Sequence, residues 1–253
     1  MRASIDINCD LGEGAGTDAE LMPLVSSANV ACGAHAGDER TIRETVGLAM
    51  RGGVGIGAHP GYPDRDNFGR LPMKMERADL IAEIVRQIRL VRDIASRVGA
   101  PLRHVKAHGA LYNEALRDEG IADAIATAIA REASGHTAPL VLAMPGSALM
   151  DRARDAALRI AREGFIDRAY EPDGALRSRR LPGALHEDPK TAVAQALSFV
   201  REGGVRTTAG TFLELEVDTL CVHGDTPGAP AIAGAVRKAF ADAGIEVKPI
   251  AWR

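Results

Sequence analysis

Short β-leaning runs alternate with helix-length segments along nearly the whole chain, and this alternation restricts the fold more than any other feature. The runs lie at Ser4–Cys9, Asn29–Cys32, Val54–Ala58, His104–Ala107, Leu140–Met144, Phe165–Tyr170, Asp218–Val222 and Ile245–Ile250. Several are apolar without strict alternation, as strands covered on both faces are. The helical spacing between them is clearest from Arg77 to Val98. There Leu80, Ile81, Ile84, Val85, Ile88, Val91, Ile94, Ala95 and Val98 recur at three- and four-residue steps, closed by Gly99 and Pro101. Further helices are expected at about 38–50, 114–133, 148–162, 189–201 and 230–243. Parallel strands joined by helical crossovers follow, and a chain of 253 residues suits an α/β, TIM-like (β/α) barrel of seven to eight strands forming a single domain over 1–253. A doubly wound open sheet is the alternative. The barrel is preferred because polar, Gly-rich, His-bearing segments follow nearly every strand, whereas an open sheet concentrates its site at one switch point. Val205–Val217, with Gly210 between two β-leaning pieces, reads as an inserted hairpin.

Composition narrows the function classes. With 46% apolar residues the chain can fill a substantial core, and 31 basic against 34 acidic residues give a net charge of −3. No basic excess is left to attract nucleic acid or an anionic membrane. No apolar run approaches a bilayer span and the first residues lack a secretory apolar region, so a cytoplasmic location is expected. Cys9, Cys32 and Cys221 are odd in number and form no CxxC pair, which points to packed thiols rather than disulfides or a zinc knuckle.

In a parallel barrel the residues just past the carboxyl ends of the strands converge on one face, where active sites lie. Asn8 and Asp10 end the first run. His35 and Asp38 follow the second, His59 and Asp64 the third, Lys106 and His108 the fourth, and His223 and Asp225 the seventh. Four of the seven histidines therefore sit among glycines at strand ends. Such a pocket suits metal-free acid–base chemistry or a divalent ion with three protein ligands and a water, although no HExxH-type spacing is present. If an ion is bound, its expected ligands are Asp10, His35, His59 and His108. Pro145–Ser147 and Gly224–Gly228 precede helices and are candidate anion loops, and neither is a Walker motif. Arg168 and Arg177 are candidates to clamp a carboxylate, while Arg179 and Arg180 are expected to be solvated.

Five longer motifs carry a resemblance: NCDLGEG (8–14), LMPLVSSANVACGAHAGD (21–38), GAHPGYPD (57–64) with FGR (68–70), KAHGALYN (106–113) and TLCVHGDTPGA (219–229). In this order, over essentially the whole chain, they closely resemble the family of 5-oxoprolinase A subunits, also called the LamB/YcsF lactam-utilisation family. The chain departs from the family pattern at Ala34, Glu39, Leu71 and Ala107. The resemblance implies a barrel related to the glycoside hydrolase/deacetylase superfamily. It also implies ATP-dependent opening of 5-oxoproline (pyroglutamate) to L-glutamate with partner subunits B and C, the ATP bound by this chain or by those partners. On that reading Asp10, His59, Lys106 and His108 are catalytic, with His59 or His108 activating water. Asn8, His35, Asp38, Arg168, Arg177, His223 and Asp225 form the substrate shell, Arg168 gripping the carboxylate. The alternatives are a stand-alone metal-dependent deacetylase or amidase and a non-catalytic component that only binds substrate.

Overall fold

Polar residues at every second position of the first strand, β1 (Ser4–Leu11), divide its side chains between two environments. Ile5, Ile7, Cys9 and Leu11 join the apolar core beneath the helices, while Asp6, Asn8 and Asp10 bond to polar groups of facing strands. The structure, a computed structural model, describes residues 4–133 and 137–250. From β1 the parallel sheet runs through β2 (Ser27–Ala31), β3 (Gly55–His59), β4 (Leu102–Val105), β5 (Leu140–Ala143) and β6 (Ile160–Phe165). It then reaches β9 (Thr219–His223), whose residues pair back with Asp6–Asp10 and close a seven-stranded barrel. The expected hairpin is present as β7 (Gly204–Arg206) and β8 (Phe212–Glu214).

The helices are α1 (Asp18–Leu21), α2 (Glu39–Gly52), α3 (Arg77–Arg97), α4 (Gly109–Glu114), α5 (Glu119–Ala133), α6 (Ala148–Asp155), α7 (Pro189–Arg201) and α8 (Ala229–Asp242). In α3, Leu80, Ile81, Ile84, Ile88, Val91 and Ile94 are all buried, each side chain contributing about 1.5–3 kcal/mol by leaving water. Among the described residues no helix is long and apolar enough to cross a membrane.

Three boundaries differ from expectation. The last run pairs only at β10 (Glu246–Val247), beside Ser4 and Ile5. It cannot enter the ring, because β9 already occupies that edge of β1 from Asp6 onward. The sixth strand lies at Ile160–Phe165 rather than Phe165–Tyr170, and the helix before it stops at Asp155. Ala157 makes that stop in the left-handed region (φ 54°), so no glycine marks it. Finally, the helix expected over 114–133 starts only at Glu119, as α5, and the short α4 ends at Glu114 before it.

Below the active face, the barrel is filled by polar side chains bonded to one another. Asp6 accepts from Ser26 and Ser27 (2.7 Å each) and from Thr219, and Thr219 Oγ1 accepts from Asn8 Nδ2 (2.7 Å). Asn29 Nδ2 donates to Asn8 Oδ1 and Asp10 Oδ1, both 2.7 Å, and its Oδ1 accepts from His104 Nε2 (2.7 Å). Such groups are tolerated in a core because each has partners. His104 crosses the space above Gly57, where a Cβ would lie 2.0 Å from Nε2. The glycine is what lets the imidazole reach Asn29.

Candidate active site

Three imidazoles, two carboxylates and an ammonium meet at the upper end of this polar column. His59 and Lys106 come from β3 and the residue after β4, while Asp10 is on β1. Glu13, His35 and His108 lie on the loops that follow β1, β2 and β4. Glu13 Oε1 is 3.1 Å from both His35 Nε2 and His108 Nδ1, and 3.6 Å from His59 Nε2. Lys106 Nζ is 2.8 Å from Asp10 Oδ1, 3.1 Å from Glu163 Oε1 and 3.0 Å from Cys221 Sγ.

The hydrogen bonds count the protons on two of these rings. His59 Nδ1 lies 2.8 Å from the Lys106 carbonyl and His108 Nε2 lies 2.8 Å from the Phe68 carbonyl, so both nitrogens carry hydrogen and donate. The remaining nitrogens, His59 Nε2 and His108 Nδ1, face each other at 3.0 Å and also face carboxylates, Asp10 Oδ2 at 3.3 Å and Glu13 Oε1 at 3.1 Å, so at least one of them carries a proton. The pair therefore carries at least one positive charge. Burial pushes His59 down, but the Asp10 charge and hydrogen bond, with Glu13, outweigh it and raise its pKa. His108 is shifted down, chiefly by burial, so His59 is the ring that holds its proton more firmly. Burial lowers His35 to about 4, so its contact with Glu13 is a hydrogen bond from a neutral ring rather than an ion pair. Burial favours the neutral carboxyl at Asp10 and Glu13. At Asp10 this is outweighed by His59 and Lys106, and at Glu13 by hydrogen bonds from His108 and His35, so both stay well below the usual carboxylate range. Lys106, which burial alone would discharge, is held protonated by Asp10 and Glu163, with Cys221 Sγ as a further acceptor.

These groups border a cavity of about 370 Å³ whose other walls include Phe165, Arg168, His223 and the mouth residues Arg70, Arg179, Arg180 and Asp225. His223 stacks on Phe165 and donates from Nδ1 to Asp167 at 3.0 Å. Arg168 is 7% exposed, donates from Nη2 to the Arg177 carbonyl (2.7 Å), and its buried Nε has no protein partner.

Glu13, His35, His59 and His108 offer ligand atoms within 4.8 Å of one another, as a metal site would. The ring planes prevent it as they stand. His35 and His108 lie parallel, 3.7 Å apart at 3°, so their in-plane lone pairs run side by side and do not converge on an ion about 2.0–2.1 Å from each. In the second such group, Asp10, Cys221 and His223, the ammonium of Lys106 already stands between Asp10 and Cys221.

A sequence profile of the LamB/YcsF family matches residues 5–252. The chain belongs to the LamB/YcsF family. It is 49% identical to the 5-oxoprolinase A subunit of Chloroflexus aggregans, over 97% of this chain and 98% of that one. It is 44% identical to the protein of the same name from Tolumonas auensis, over 97% and 99%. The crystal structure of a lactam utilization protein from Thermus thermophilus is similar throughout, with a TM-score of 0.90, 42% identity, and coverage of 97% of this chain and 99% of that one.

The LamB/YcsF motifs fall at the barrel mouth, though not every residue singled out in them does. Asp10, His59, Lys106, His108, Arg168, His223 and Asp225 line the cavity, and His35 stands behind His108. Asn8 lies in the polar column beneath. Asp38 instead caps α2 by accepting from the Thr41 N–H at 2.8 Å, and Arg177 turns away to Glu171 (2.8 Å) and the Pro182 carbonyl. Arg179, expected in solvent, is half-buried at the cavity mouth, while Arg180 borders the mouth and is exposed as expected. Glu13, Glu163 and Asp167 escaped sequence reasoning. For Glu13 a signal existed: an acidic residue between two glycines, directly after a strand that ends in Asp10.

Proposed function

We propose that this chain opens the lactam ring of 5-oxoproline to give L-glutamate, within an ATP-dependent 5-oxoprolinase whose partner subunits B and C complete the activity. The His59–His108 pair, with nitrogens 3.0 Å apart and fixed between two backbone carbonyls and two carboxylates, is the observation that carries this reading. A five-membered lactam is a resonance-stabilised amide that water opens poorly. Transfer of the terminal phosphoryl group of ATP to the amide oxygen yields ADP and a reactive imidate.

Water then adds to the ring carbon, and both of its protons pass to the ring nitrogen as the C–N bond breaks, its oxygen staying on the carbon. The acyl phosphate left behind takes a second water to release phosphate and glutamate. In this scheme the histidine pair gives a proton to the departing nitrogen and recovers one from the attacking water, with no net change. Lys106 supplies positive charge next to the developing negative charge, and Arg168, on the cavity wall, holds the substrate carboxylate. If the nitrogen is not protonated, the adduct expels phosphate instead and regenerates the lactam.

The test is glutamate and phosphate release by the reconstituted complex with 5-oxoproline and ATP. Glutamate is expected only when this chain and ATP are both present. In His59→Asn and His108→Asn it should fall about 100-fold, with more phosphate released per glutamate. Turnover within about twofold of wild type in both variants would remove the pair from the mechanism.

A further inference from the structure

Ring opening as described leaves the mouth of the cavity without a task. Three separate connections bring their charges there: Arg70 from the β3–α3 loop, Arg179 and Arg180 from the segment after β6, and Asp225 from the turn after β9. Asp225 is shared between two guanidinium groups, in contact with Arg70 and 3.1 Å from Arg179. One carboxylate does not neutralise two arginines, and among the described residues Arg180 adds a third cation with no ion pair to offset it. The side chains of Arg70 and Arg179 are 42% and 27% exposed, so this set lies outside the deep Arg168.

We propose that the mouth is a phosphoryl-binding subsite, and that the substrate this chain takes is the lactam already carrying a phosphoryl group on its ring oxygen. This deepens the ring-opening reading and rests on it. The two cationic positions match the two anionic ends of such a molecule: a carboxylate for Arg168, and a dianionic phosphoryl group for the outer arginines, whose planar forks suit its oxygens. The size of the cavity agrees, because about 370 Å³ falls within the range of drug-sized pockets and exceeds what a bare five-membered ring fills. With no anion present, Asp225 holds Arg70 and Arg179 in place. The phosphoryl group then sits at the open side of the cavity, where a nucleotide held by a partner protein would approach. The reacting carbon lies further in, by the histidine pair.

Calorimetric titration of the whole chain at low salt, separately with inorganic phosphate, 5-oxoproline and ATP, tests this. Phosphate should bind. Arg180→Ala and Arg179→Gln should each weaken it about tenfold, the effect of one lost charged hydrogen bond, and leave 5-oxoproline binding within twofold. Arg168→Met should do the reverse, and melting curves would confirm that all three variants fold. Binding of 5-oxoproline without phosphate binding would overturn the proposal and leave the ring-opening reading intact. ATP binding more tightly than phosphate, and lost in the same variants, would make the mouth a nucleotide site and also overturn it. Binding of none of the three ligands would count against both readings.

Discussion

Replacing Lys106 by methionine tests whether charge at the centre of the barrel is balanced as the geometry indicates. The ammonium is 3% exposed, 2.8 Å from Asp10 and 3.1 Å from Glu163. At an effective dielectric of about 20, a unit pair at these separations attracts by roughly 5–6 kcal/mol before desolvation is subtracted. Removing one partner of a buried pair costs about 3–5 kcal/mol, so for a chain of this size the melting temperature should drop by roughly 6–20 °C. The pH dependence carries the sharper signature. In the wild type, Asp10 is held low by His59 and Lys106 against the effect of burial, so its stabilisation is present above the unfolded carboxylate range and lost as the pH falls through the folded value. Without Lys106, Asp10 is a buried carboxylate with one cation fewer beside it, and its folded pKa rises. The deficit of the variant should then be smallest near about pH 4 and grow toward about pH 8. Urea unfolding followed by far-UV circular dichroism across that range measures it. A deficit under about 1 kcal/mol at the alkaline end, or one that does not shrink toward acid, would refute Lys106 as the counter-charge.

Other consequences are open to direct measurement. Gly57→Ala sets a methyl carbon against the His104 ring and should destabilise by about 2–4 kcal/mol in denaturant unfolding, through overpacking and the lost bond to Asn29. An unchanged midpoint would show that His104 can turn aside freely. Glu13→Gln removes one of the carboxylates that raise His59, so the alkaline limb of the pH–rate profile of the complex should move to lower pH. A limb that stays in place would detach Glu13 from the histidine pair. Arg168→Met should raise KM for 5-oxoproline about 10- to 100-fold with a smaller change in kcat. If kcat falls instead, Arg168 acts on the transition state. Zinc measured after purification without chelator should be well below one per chain, because the stacked His35 and His108 rings do not converge; stoichiometric zinc would mean that one of them turns.

The sequence read most clearly where one physical demand acted alone. The heptad-like spacing of α3 reflects burial of a single stripe, and its interior residues and stop signals are all local. The sixth strand was illegible for the opposite reason. Arg162 and Glu163 give Ile160–Phe165 a surface-helix character, yet Arg162 pairs with Asp218 and Glu163 faces Lys106 across the barrel. Those partners are distant in sequence, and the helix before the strand ends on an alanine. At the site, the histidines were conspicuous through their glycine neighbours. Glu13 was not, because a carboxylate in a glycine-rich loop is ordinarily solvated. Asp38 and Arg177 show the converse error: position after a strand does not fix direction, and each satisfies a local backbone or carboxylate partner instead.

The closure of the ring between β1 and β9 has a consequence for how the chain is made. Thr219 bonds to Asp6 and Asn8 across more than two hundred residues, a separation that synthesis must span before the pairing exists. At a typical rate of about 5–20 residues per second, the acidic row on β1 waits on the order of ten seconds or more for its last neighbour. Until then Asp6 and Asn8 lack Thr219, and the half-built sheet presents two open edges to whatever else is in reach. The first strand of the ring to be made is completed only by the last.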